Sequence, residues 1–93
     1  MFKTNEYFEG EVMSIGFNPE KGPATIGVMA VGEYEFGTSQ KEFMTVTSGK
    51  MLVKLPGTDQ WKDFKENETF IVEANEKFQV NVKEEISYIC FYK

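Results

Sequence analysis

Phe78, Val80 and Val82 alternate with Lys77, Gln79, Asn81 and Lys83, a period of two that predicts a strand with one buried and one wet face. Met51, Val53 and Leu55 alternate with Lys50 and Lys54, and Pro56-Gly57 then supplies turn chemistry that ends the run. A shorter strand surrounds Phe70 and Val72. Upstream, residues 12–17 and 24–31 read as strands separated by a loop at 18–23, rich in Gly and Pro. Two further strands place Tyr34, Phe36 and Thr38 on one face, and Glu42, Met44, Val46 and Ser48 on one face of the next. Only residues 59–68 are candidates for a helical turn, too short and polar for a core helix. The pattern predicts an all-β fold of eight or nine short strands, a sandwich or barrel, in one domain spanning 1–93.

The last strand breaks the simple alternation. Ile86, Tyr88, Cys90 and Tyr92 share one face, while Ser87, Ile89 and Phe91 share the other. Two apolar faces require two covers. Either this is a fully buried central strand, or one face lines a pocket or meets a second subunit. A homodimer is the commonest way to meet the second requirement.

Composition narrows the function classes. The chain has thirteen Glu and two Asp against ten Lys, a net charge of −5, and the acids are interleaved throughout. No basic face can form, which argues against nucleic acid and anionic membrane as partners. Arginine and histidine are both absent. An anion site must therefore use lysine, hydroxyls or backbone N–H groups, and no imidazole is available as a base or metal ligand. Cys90 is the single cysteine, which excludes an intrachain disulfide and fits a reducing compartment. With no basic-then-apolar leader and no apolar run of about 20 residues, a cytoplasmic protein is expected. No activating group flanks Cys90 in sequence, so it reads as a small buried hydrophobe.

Glu42 is the most informative polar residue. If it faces inward, an unpartnered buried carboxylate costs several kcal/mol or takes up a proton. Such a position points to a functional or hydrogen-bonded role for Glu42. Glu33 and Glu35 fall on the opposite face of their strand, where solvent is expected.

The stretch from Gly27 to Gly49 resembles the first block of the cupin barrels, in which a glutamate is followed by six residues and a glycine, here Glu42 and Gly49. Metal-binding cupins precede that glutamate with a His-x-His pair; here the region reads Tyr34-Glu35-Phe36. The resemblance therefore implies a cupin barrel without its usual metal. Along its whole length the chain is similar to the small bacterial pyrimidine/purine nucleoside phosphorylases. The likeness is carried by Asn5-Glu6-Tyr7-Phe8, Ser14-Ile15-Gly16-Phe17, Gly27-Val28-Met29, Gly32-Glu33-Tyr34, Met44-Thr45-Val46, Ser48-Gly49 and the closing Tyr88-x-Cys90-x-Tyr92. Departures occur where relatives carry arginine: this chain has Gly22-Pro23 and Phe91 there, and Asn67 and Glu73 replace a glycine and proline of the second cupin block.

The resemblance implies that inorganic phosphate and a purine or pyrimidine nucleoside give free base and pentose 1-phosphate. No cofactor is expected beyond phosphate as co-substrate, and no metal. On this reading Glu42 is catalytic, meeting the pentose hydroxyls or the developing oxocarbenium charge. Tyr34, Phe36, Met44 and Tyr88 contact base or sugar. Thr38 and Ser39, with N–H groups near Gly37, receive phosphate, and Lys41 supplies counter-charge. Two other classes stay open: a non-catalytic cupin that binds a nucleoside or sugar, and a metal-free sugar isomerase or epimerase, which the lack of histidine disfavours.

Overall fold

The computed structural model describes residues 1–93 and contains ten strands. They are β1 (Lys3–Tyr7), β2 (Val12–Phe17), β3 (Ala24–Met29), β4 (Gly32–Gly37) and β5 (Glu42–Ser48), then β6 (Met51–Lys54), β7 (Lys62–Phe64), β8 (Thr69–Val72), β9 (Lys77–Val82) and β10 (Ile86–Tyr92). A three-residue 3-10 turn, Phe8–Gly10, follows β1. All pairings are antiparallel, in a six-stranded sheet ordered β1-β2-β3-β10-β5-β8 and a four-stranded sheet ordered β4-β9-β6-β7. The all-β expectation holds. The two sheets face each other without hydrogen-bonded closure, so the predicted barrel is an open sandwich.

Alternation decides what lies between the sheets. Met44 and Val46 of β5, Val53 of β6, Phe70 and Val72 of β8, Phe78 and Val80 of β9, and Tyr88 and Cys90 of β10 all enter one cluster of sixteen buried residues. β10 is central to the large sheet, with β3 on one side and β5 on the other. Its inner face is buried; Ser87, Ile89 and Phe91 face outward and are half-buried.

Four sequence expectations need correction. The segment 59–68 forms no helical turn; β7 occupies its middle, because Phe64 is drawn into the core beside Phe70, with ring centroids 4.8 Å apart. β3 stops at Met29 instead of residue 31: the Glu11 N–H turns back to the Phe8 carbonyl at 3.1 Å and the Ala30 carbonyl accepts from the Tyr34 hydroxyl at 2.7 Å, so the ladder to β2 is not continued. The strand count rises to ten, because polar β1 pairs with β2 and lacks the apolar alternation that marks the others. Ser48 leaves the face of Glu42, Met44 and Val46 and is exposed. The β5–β10 register shifts between Ser87 and Tyr88, and this bulge leaves Thr47 outside the register, its hydroxyl 2.7 Å from Ser87 Oγ.

The seven residues of β5 explain the Glu42-to-Gly49 spacing. Glu42 opens the strand, and Gly49 follows its last residue with φ of +86°. A Cβ at Gly49 would lie 2.7 Å from Ile86 Cγ2, so both backbone conformation and space call for glycine there.

Candidate functional site

A cavity of about 120 Å³ lies between the sheets toward the end where β5 begins and β10 finishes. The large sheet contributes Ser14, Glu42, Met44, Tyr88 and Tyr92. The small sheet contributes Phe36, Gly37 and Phe78, and Tyr7 enters from the end of β1. A more open cleft of about 350 Å³ lies toward the other ends of these strands, against Gly10, Glu11 and Ile86, and contains none of the residues selected from sequence. The smaller cavity is the better candidate because it holds a partly desolvated carboxylate among aromatic rings.

Glu42 does face inward. It opposes Tyr92 on β10 and Val72 on β8, and it is half-buried. Burial raises its carboxyl above the ordinary carboxylate range, and a hydrogen bond from Cys90 acts in the opposite direction. The Cys90 Sγ–Glu42 Oε1 distance is 3.7 Å. Cys90 is buried as expected, but it is not simply a hydrophobe, because its thiol proton is directed at the carboxylate. Burial and the negative charge of Glu42 push the Cys90 thiol up to about 12, which excludes a thiolate nucleophile in the neutral range.

Tyr88 reaches across β3. Its ring occupies the space above Gly27, where a Cβ would lie 2.5 Å from the Tyr88 oxygen. Burial, chiefly, raises its hydroxyl to about 12, so it enters the cavity as a neutral group. The Asn5 amide donates to Ser14 Oγ at 3.2 Å, and Ser14 lines the same cavity as Tyr88.

The cavity therefore brings together Phe36, Glu42, Met44 and Tyr88 from the predicted set. Tyr34 is not among its lining residues. Its hydroxyl donates to the Ala30 carbonyl at 2.7 Å, and its ring packs against Phe8 at 5.0 Å. Thr38 is also committed within the fold: Oγ1 donates to the Glu73 carbonyl at 2.7 Å and accepts from Glu76 N–H at 3.0 Å. It clasps the β4–β5 loop onto the 73–76 turn. Ser39 is exposed on that loop. Lys41 pairs with Glu73 at 3.6 Å and sits over the Phe43 ring at 5.4 Å. Tyr7, Ser14, Met29, Phe78 and Tyr92 also line the cavity and were not selected from sequence. The buried polar Ser14 beside buried Val12 was a signal within reach of sequence reading, whereas Tyr92 required the β5–β10 register.

A family model described as pyrimidine/purine nucleoside phosphorylase matches residues 2–92. The chain belongs to this family. It is 59% identical to the pyrimidine/purine nucleoside phosphorylase of Cellvibrio japonicus over 93 residues, covering all of both chains. A crystal structure of a Vibrio parahaemolyticus protein of unknown function superposes with a TM-score of 0.93 at 42% identity, covering 97% of this chain and 96% of that one. A cupin superfamily protein from Desulfitobacterium hafniense shares the fold at a TM-score of 0.70 and 13% identity, covering 92% and 77% respectively. The open sandwich is therefore a cupin fold.

Proposed function

We propose that the chain is a cytoplasmic nucleoside phosphorylase of broad specificity, converting a purine or pyrimidine nucleoside and inorganic phosphate into free base and pentose 1-phosphate. The observation that carries this reading is the half-buried Glu42 carboxylate among Phe36, Phe78, Tyr88 and Tyr92, in a chain of this family. A phosphate oxygen attacks the anomeric carbon, the glycosidic electron pair leaves with the base nitrogen, and the base takes a proton from solvent. Positive charge develops on the sugar as the bond opens, and the Glu42 carboxylate opposes it or accepts hydrogen bonds from the pentose hydroxyls. Phosphate is itself the nucleophile, so the enzyme supplies position and electrostatics, and no covalent residue is needed.

Aromatic walls suit a permissive base site, because every base offers a π-face. Phe36 and Tyr88 contact the base or sugar, and Met44 gives the wall a deformable apolar surface. Tyr34 supports this wall from behind through Phe36, 6.2 Å between ring centroids. Phosphate is received at the β4–β5 loop by Ser39, Lys41 and backbone N–H groups, with Thr38 holding the loop in shape. A second copy of the chain covers the outer face of the large sheet.

A second reading is favoured by one observation: no lysine lines the cavity. A non-catalytic module would bind nucleoside there without phosphate. Chromatographic assay of free base from uridine, adenosine and inosine, with and without phosphate, separates the two. Phosphate-dependent release that is lost in Glu42→Gln supports the phosphorylase. Release without phosphate means a hydrolase. Nucleoside affinity without release, in folded protein, leaves the binding module.

A further inference from the structure

The cavity that holds Glu42 is about 120 Å³, well below the roughly 300–1,000 Å³ of sites that enclose a small organic ligand, so a nucleoside enters only if a wall moves. Most of the walls are fixed. Met44, Phe78 and Tyr88 are buried side chains on β5, β9 and β10, strands that are paired on both sides. β1 and β4 differ. Each is an edge strand, β1 paired with β2 alone and β4 with β9 alone, and no backbone hydrogen bond joins one to the other.

Phe8 bridges that seam. It follows Tyr7 in the loop between β1 and β2, and its ring packs on two residues of β4, Tyr34 at 5.0 Å and Phe36 at 5.6 Å. The backbone is bent to put it there. Phe8, Glu9 and Gly10 have φ of +51°, +57° and +91°, and at the first two this conformation crowds a Cβ against the main chain. Such a conformation persists only where its surroundings hold it. Here the hold is slight: one backbone hydrogen bond, from Glu11 N–H to the Phe8 carbonyl at 3.1 Å, and the contacts of a side chain that is 44% exposed. The far end of the loop is anchored, because the Glu11 carbonyl accepts from Ala30 N–H at 2.8 Å. The loop also stands between two voids. Tyr7 lines the cavity, Gly10 and Glu11 line the open cleft of about 350 Å³, and Met29 lines both. Joined, the two spaces reach the size of a small-molecule site.

We propose that residues 7–10 are a gate: Phe8 leaves Tyr34 and Phe36, the left-handed turn relaxes, and the cavity opens toward the cleft to admit a nucleoside. Phe8 sets the closed state, and its ring stays displaced while a nucleoside is bound. What the gate admits rests on the phosphorylase reading; its opening does not.

The test separates the two. Cys90 is buried, and its sulfur lies 3.7 Å from Glu42 Oε1, so a small reagent that enters the cavity meets the thiol. The rate of Cys90 labelling by methyl methanethiosulfonate is measured in the full chain, without ligand, from zero to moderate urea. Labelling through a local opening is flat in urea, whereas labelling through global unfolding climbs with it. Wild type is expected to show a flat region at low urea, and Phe8→Ala to raise that plateau about tenfold, with Phe8→Leu between them. Labelling that follows global unfolding at every urea concentration overturns the gate, and so does a plateau that Phe8→Ala leaves unchanged. If Phe8→Ala fails to fold, Phe8→Leu decides by the same criterion. In phosphorolysis assays Phe8→Ala is expected to lower KM for the nucleoside by roughly threefold or more and to leave KM for phosphate unchanged, because the open state is more populated. A raised nucleoside KM would make Phe8 a support for the Phe36 wall and overturn its role in admission. Wild-type protein without phosphorolysis overturns the function proposed above and leaves the thiol plateau to judge the gate.

Discussion

At the scale of single residues, Glu42 sets stability against activity. Burial raises its carboxyl in the folded chain above the unfolded value, so between the two values the folded state binds more protons. Stability from this group is therefore fully present below the unfolded value, about pH 4, and is lost as pH rises through the raised folded value. Near neutral pH the ionised carboxylate opposes folding. Glu42→Gln, of nearly the same shape and without charge, is expected to raise Tm by about 3–6 °C near neutral pH, and this gain shrinks toward zero near pH 4. Phosphorolysis in the same variant falls by about a hundredfold or more. Scanning calorimetry across pH beside the base-release assay checks both halves. A variant less stable at neutral pH would show that the carboxylate is a structural acceptor and not a group held against its own cost. For the wild type, kcat/KM is expected to rise with pH through the elevated Glu42 value, so its acid limb lies above that of an ordinary glutamate.

Elements bring these residues together by pairings that are distant in sequence, and this separates what could be read from the chain from what could not. The inward face of Glu42, Met44 and Val46 was legible because β5 alternates cleanly until the bulge near Thr47. Beyond the bulge, Ser48 falls outside the pattern, and no local signal marks the shift. Thr38, Ser39 and Lys41 looked equivalent in sequence, yet the 73–76 turn commits Thr38 and engages Lys41 from 32 or more residues away. Tyr7 comes from a strand too polar to announce itself. The Thr38 clasp predicts its own consequence. Thr38→Val leaves the Glu73 carbonyl and Glu76 N–H without their partner and is expected to cost about 1–3 kcal/mol in urea unfolding. If the loop receives phosphate, KM for phosphate rises while nucleoside affinity is little changed. Gly27→Ala tests the opposite wall. Its Cβ would displace the Tyr88 ring, with an expected loss of about 1–3 kcal/mol and reduced nucleoside affinity. Unchanged stability in Gly27→Ala would mean that Tyr88 has another place to go.

The whole molecule carries net charge −5, and copies of it repel one another unless they meet on an uncharged surface. The outer face of the large sheet offers one. The row Thr4, Ile15, Ile26, Ile89, Thr45 and Thr69 crosses all six strands without a charged side chain. Beside it, the outward positions Phe17, Phe91, Phe43 and Ile71 are apolar and neutral. Ile15, Ile26, Val28 and Ile71 are exposed there, whereas the outer face of the small sheet carries Glu33, Glu35, Lys54 and Asp63. Six strands at about 4.8 Å spacing and about 20 Å of strand length present a face near the size that stable interfaces bury on each partner. A self-complementary patch needs only a two-fold axis, and an uncharged one brings no like charges together. The expected solution state is therefore a dimer, with twice the chain mass of 10.7 kDa by light scattering. Ile26→Lys, at the centre of the row, places two buried ammonium groups across the axis and is expected to give the monomer mass with the fold retained by circular dichroism. Monomeric wild type would remove the second cover from β10 and leave Ile89 and Phe91 as a half-buried surface patch. If Ile26→Lys stays dimeric, the copies meet elsewhere. Because β10 also carries Tyr88, Cys90 and Tyr92 on its inner face, a dimer through its outer face stiffens the strand that holds the cavity. Dissociation is then expected to lower kcat even though no partner residue enters the site, a loss that should be recovered by raising protein concentration.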